Sequence, residues 1–168
     1  MKTDDHDLET KIADQVRVMQ VMTAAMVFCP MALAIIAKFV ATGEEGPPNP
    51  LLVSVGMVGG LVMLFLQAIV GRLVTAHGIK TMADRARDEP EALAGAYQAG
   101  MIISLAFLEG AALFNLILYM MERSPYNLAM GAILFLSMAI KFPFATRIAD
   151  WIRTQVKLIE EKKALGSE

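Results

Sequence analysis

The sequence predicts an all-α integral membrane protein, a four-helix bundle that crosses the bilayer four times and carries an amphipathic helix at each end. Three observations lead there. The 168 residues are 56% hydrophobic, and the mean hydropathy is +0.52, more apolar than the usual soluble domain. Only 19% is charged, and most of that charge sits in the first 17 residues, one connector and the tail. Four apolar stretches reach the roughly 20 residues that a helix needs to cross a hydrocarbon core of about 30 Å.

The elements follow in order. Residues 1–17 begin polar and acidic, so no secretory signal is expected. Leu8, Ile12, Val16 and Met19 form an apolar stripe at helical spacing. The first span covers 18–40. Residues 42–50 (TGEEGPPNP) form a polar loop that no helix crosses. The second span covers 51–76, followed by a charged connector over 77–91. The third covers 99–121, and Glu122-Arg123-Ser124-Pro125 reads as a tight turn. The fourth covers 128–148. In the tail, 149–168, Trp151, Ile152, Val156 and Ile159 continue a stripe from Ile148, with Arg153, Lys157, Lys162 and Lys163 beside it. Such a basic amphipathic helix suits an anionic inner leaflet. The alternative, left open, is that the terminal helices extend the spans or pack on each other. An unusually apolar soluble bundle is the other fold to weigh, but its helices would show a polar face.

Positive charge sets the expected orientation. Lys2, Lys11 and Arg17 precede the first span, Arg72, Lys80, Arg85 and Arg87 flank the middle connector, and the tail is basic. The first connector has no Lys or Arg, and the third has only Arg123. The positive-inside rule then puts both termini and the middle connector in the cytoplasm, in a multi-pass protein of the cell (inner) membrane. Tyr119 and Tyr126 mark the outer interface, and Tyr97 and Trp151 the inner one. A faint repeat, Leu64-Phe65-Leu66 against Leu134-Phe135-Leu136 with Gln20 and Gln98 opening spans one and three, leaves two tandem hairpins open.

Several functions are excluded or unsupported. A net charge of −2 argues against nucleic acid as a partner. No catalytic residues, metal ligands or cofactor motif stand out. His6 and His77 are isolated in polar segments, and Cys29 is the only cysteine. The 13 methionines read as apolar filler. Gly56 and Gly60 make a G-x-x-x-G, a spacing that suits close helix packing.

Three polar side chains lie deep in the spans: Gln67 in the second, Glu109 in the third and Lys141 in the fourth. A charge at the bilayer centre costs about 2.5–3.5 kcal/mol on insertion scales, so such groups face protein, water or each other. Counted from the outer turn, Glu109 and Lys141 fall within roughly one turn in depth. In a functional reading Glu109 binds and releases a proton or cation, neutral in lipid and ionised where water or a positive charge reaches it. In a structural reading Glu109 and Lys141 form a fixed ion pair. In a third, Lys141 snorkels to the headgroups, helped by a bend at Pro143.

The run Ser104-Leu105-Ala106-Phe107-Leu108-Glu109-Gly110-Ala111-Ala112-Leu113-Phe114 resembles the second helix of the c subunit, the proteolipid of rotary F- and V-type ATP synthases. Ala86-Arg87-Asp88-Glu89-Pro90-Glu91 resembles that family's cytoplasmic Arg-x-Pro-Glu loop. The resemblance covers roughly 51–122. It implies that Glu109 carries the ion, that Gln67 donates a hydrogen bond to it, and that Phe114 covers the site. It also implies that Arg87, Pro90 and Glu91 face a stalk, and that the chain joins a homo-oligomeric ring beside other membrane subunits. Gly110 and Ala111 stand where sodium-binding members place hydroxyls, so the ion expected is a proton. The chain also departs from the pattern. Met57, Leu61, Met63 and Phe65 crowd the glycines of span two, and two residues rather than one separate Arg87 from Pro90. The carboxylate is in the third helix, and Lys141 has no counterpart. The function expected is therefore a c-subunit-like proteolipid with a proton-carrying carboxylate. The alternative is a non-transporting membrane scaffold or accessory subunit in which Glu109 pairs with Lys141.

Overall fold

The computed structural model describes residues 2–40, 47–82 and 92–165. They form five α-helices: α1 (Lys2–Val40), α2 (Pro50–Met82), α3 (Ala92–Glu122), α4 (Pro125–Ile140) and α5 (Ala145–Leu165), with no strand among the described residues. Arg85, Arg87, Pro90 and Glu91 of the middle connector, and 41–46 of the first, lie outside the described residues.

Three helices are long and apolar enough to cross a membrane, and a fourth candidate is the broken pair α4 and α5. This is the all-helical pattern compatible with a multi-pass membrane protein. Apolar side chains also cover the outside of these helices: Phe28, Phe39 and Phe65 are 62%, 83% and 71% exposed. A water-soluble helix would turn polar groups outward there.

The helices overrun the expected bounds. α1 takes in the N-terminal segment and the first span without a break. α2 runs past Ala76 to Met82, and α3 starts seven residues before Ala99. No proline stands between His77 and Met82, so the polar residues continue the helix through Gly78, with Thr81 Oγ1 donating to the His77 and Gly78 carbonyls. The fourth stretch differs in the opposite sense. The expected helix over 128–148 is interrupted: α4 ends at Ile140 and α5 begins at Ala145. Pro143 explains the break, since it has no N–H to donate and restrains Phe142 from helical geometry.

The chain divides into two compact units: Met1–Met22, Gly71–Met101 and Pro143–Glu168 form unit 1, and Thr23–Val70 and Ile102–Phe142 form unit 2. In unit 1, Val16, Met19, Leu93, Ala94, Ile148 and Ile152 are buried. The rings of Tyr97 and Trp151 pack with centroids 5.0 Å apart, tilted by 55°. Gln20 Nε2 donates to the Pro143 carbonyl at 3.0 Å. The apolar stripe of α5 is thus turned inward, leaving Arg147, Arg153 and Lys157 exposed. The tail helix packs this stripe on its own chain. Gly100 lets α3 approach α2 closely, for a Cβ there would stand 2.7 Å from the Gly71 carbonyl oxygen.

In unit 2, one face of α3 (Leu105, Leu108, Ala112 and Leu116) is buried, as are Met130, Leu134 and Met138 of α4. Gly56 and Gly60 of α2 turn into this core. A Cβ on Gly56 would stand 2.6 Å from Asn127 Oδ1 and 2.8 Å from Leu118, and one on Gly60 2.6 Å from Met130. The G-x-x-x-G motif therefore makes room within the chain. At one end of the unit, Asn49 caps α2: its Oδ1 accepts from Leu51 N–H at 3.0 Å, and its own N–H donates to Glu122 at 2.7 Å. Arg123, with φ 50°, turns the chain from α3 into α4.

Candidate functional site

The three polar side chains singled out in the spans, and Phe114, all belong to unit 2. Gln67 projects from α2 into the core and is 7% exposed. Its Nε2 donates to the Leu64 carbonyl at 3.1 Å, and its Oε1 accepts a hydrogen bond from Lys141 Nζ. Ser104 Oγ of α3 donates to the Gln67 backbone carbonyl at 3.0 Å. Lys141, the residue just past the end of α4, thus reaches a polar layer built by α2 and α3. Its position at that C-terminus also suits a cation, because the last carbonyls of a helix carry partial negative charge.

Glu109 is placed differently. It is half-buried in α3 and makes no hydrogen bond or salt bridge among the described residues. The expected Glu109–Lys141 ion pair is therefore not formed, and Lys141 meets Gln67 instead. Helix register explains the difference. α3 and α4 run antiparallel from the turn at Arg123, so the residue level with Lys141 lies about as far back along α3 as Lys141 lies forward along α4. That residue is Leu105, next to Ser104. Glu109 falls about one turn nearer the turn.

The expected hydrogen bond from Gln67 to Glu109 is also absent, since the Gln67 amide nitrogen serves Leu64. Phe114 is 44% exposed and lies about 140° round the helix from Glu109. It belongs to an outward stripe with Ala106, Gly110, Ile117 and Met121. Glu109 stands at the border of that stripe, beside Ala106 and Gly110, both small and exposed. A Cβ on Gly110 would meet nothing within 4 Å. The structure thus brings Gln67 and Lys141 together and leaves Glu109 apart from them. Arg87, Pro90 and Glu91 lie outside the described residues, and no group of three or more metal-ligating side chains occurs among the described ones.

Three polar side chains escape a reading of the sequence that looks for charge. Ser104 is marked only by its hydrogen bond to the Gln67 carbonyl. Asn115 and Asn127, both fully buried in unit 2, are ordinary residues until α2 is seen to approach them at Gly56. The chain matches no family model, no curated protein and no solved structure.

Proposed function

We propose that this chain is a four-span membrane protein of the inner membrane that self-associates and carries a proton on Glu109. One observation carries the reading: a carboxyl in the middle of a long apolar helix, half-buried, with no hydrogen bond or salt bridge among the described residues. A carboxyl fixed for structural reasons would have a bonded partner, because an uncompensated buried charge is costly. The small residues Ala106 and Gly110 beside it permit a second helix to come close. Both termini are assigned to the cytoplasm on the distribution of Lys and Arg, and α4 with α5 supplies the fourth crossing. The resemblance of 104–114 to the c-subunit helix supports the same role for Glu109. Ancestry in that family, and membership of a rotary complex, remain part of the proposal.

Carbodiimide labelling of the purified protein in mild detergent, read by mass spectrometry, tests it. Carbodiimides attack protonated carboxyls and prefer apolar surroundings. Selective modification of Glu109 that grows on acidification is the expected result. An inert Glu109 in folded protein sinks the proposal.

A second reading has an observation of its own. The amide of Gln67 is taken up by Lys141 and Leu64, so the proton site implied by the c-subunit resemblance is incomplete within one chain. This favours a scaffold or accessory subunit. Reconstituted protein that moves no protons in either direction, with Glu109 still labelled, would select it.

A further inference from the structure

At the end of unit 2 nearest the α3–α4 turn, four buried polar atoms have no hydrogen-bond partner: Asn115 Oδ1, Asn127 Oδ1, Asn127 Nδ2 and Ser124 Oγ. All three residues are 0% exposed. They come from different elements. Asn115 is on α3, Asn127 is in the first turn of α4, and Ser124 is the N-cap of α4, whose hydroxyl caps nothing. Two of the oxygens converge on α2: the point where a Cβ would sit on Gly56 is 2.6 Å from Asn127 Oδ1 and 2.9 Å from Asn115 Oδ1. The Asn115 amide is oriented by its Nδ2, which donates to the Ala111 carbonyl at 3.0 Å, so its oxygen faces the cluster.

Such a cluster departs from the rule that buried polar groups are bonded, and among apolar helices each orphaned group costs about 1–3 kcal/mol. The mixture of groups says what relieves it. Oxygens alone would suit a cation, but Asn127 Nδ2 is a donor and repels one. Water donates to the oxygens and accepts from the amide nitrogen, and buried waters typically make about three such bonds. We propose that Gly56, Asn115, Ser124 and Asn127 form a water-binding site, entered from the α3–α4 turn, that hydrates this end of the unit 2 core. Ser124 and Asn127 stand one turn apart at the start of α4, so a small outward movement of that first turn admits the solvent. Leu108 and Leu134, both fully buried, lie about two turns deeper along α3 and α4 than Asn115 and Asn127. The inference stands independently of the proton assigned to Glu109.

The test is thiol accessibility in proteoliposomes, with Cys29→Ala as background because Cys29 is the only cysteine. Charged, membrane-impermeant methanethiosulfonate reagents are applied to Ser124→Cys, Asn127→Cys and Leu134→Cys. Reaction at 124 and 127 about tenfold faster than at 134 is expected, since a thiol reacts where water reaches it. Equal reactivity at all three, or none at 124 and 127 in folded protein, overturns the site. Asn127→Leu gives a second readout that needs no thiol. If the cluster is a dry defect the substitution raises the melting temperature, which also overturns the proposal; an unchanged or lowered value supports it.

Discussion

Lys141 Nζ donates a hydrogen bond to Gln67 Oε1, tying the end of α4 to the middle of α2. Ser104 of α3 bonds the carbonyl of the same glutamine, so three helices of unit 2 share one polar layer. Gln67→Leu removes the acceptor of a charged donor in a buried position. A loss of about 2 kcal/mol is expected, in the range of hydrogen bonds to charged groups. Thermal unfolding in detergent measures it, and Gln67→Glu, which restores an acceptor, should recover part of the loss.

Glu109→Gln should leave the fold intact. Removing one member of a buried ion pair costs about 3–5 kcal/mol, but Glu109 forms no such pair among the described residues. A melting temperature near that of the unaltered chain is expected. A large drop would restore the structural role for this carboxylate.

The glycines of α2 should separate by face. Gly56→Ala places a methyl 2.6 Å from Asn127 Oδ1 and 2.9 Å from Asn115 Oδ1, and overpacking of this kind costs about 1–3 kcal/mol. Gly59, where a Cβ meets nothing within 4 Å, points about 100° round the helix from Gly60. Gly59→Ala should be neutral or stabilise by up to about 1 kcal/mol, the helix preference of alanine over glycine. Comparing the two variants in one unfolding assay isolates packing from propensity.

Asn49→Ala removes the side-chain cap on Leu51 N–H and should cost about 1 kcal/mol. Hydrogen exchange of the first turn of α2 localises the effect. Exchange that speeds equally along the whole helix would argue against a cap.

Trp151 is the only tryptophan and packs on Tyr97, so its fluorescence reports on unit 1. Tyr97→Leu should alter the emission and cost about 0.5–1.5 kcal/mol beyond lost area, the usual value of an aromatic pair. Unchanged emission would mean that the rings do not meet in the membrane-bound protein.

The long apolar runs made the helices legible, because 20 or more residues without a polar face leave few alternatives to a span. Their ends were less so. A polar residue after Ala76 signals a water interface, but it does not stop a helix, and α2 continues to Met82. The break in the fourth stretch was visible in Pro143 only as a bend, since proline marks a kink without saying whether the helix resumes. Candidate site residues were found by charge and depth. Depth placed Glu109 within about a turn of Lys141, but Lys141 meets Gln67 instead, because its partner depends on how α2 packs against α4, which depth does not show. The asparagines carried no signal in the sequence, because their burial depends on how closely Gly56 lets α2 approach.

The inward turn of Gly56 and Gly60 has a consequence for experiments on fragments. A synthetic peptide of α2 would offer this small-residue surface freely and should dimerise through it. The intact chain has already filled the same surface with its own α3 and α4. Association measured on the peptide would therefore describe a contact that the whole protein does not make between copies, and any oligomer has to form through other faces.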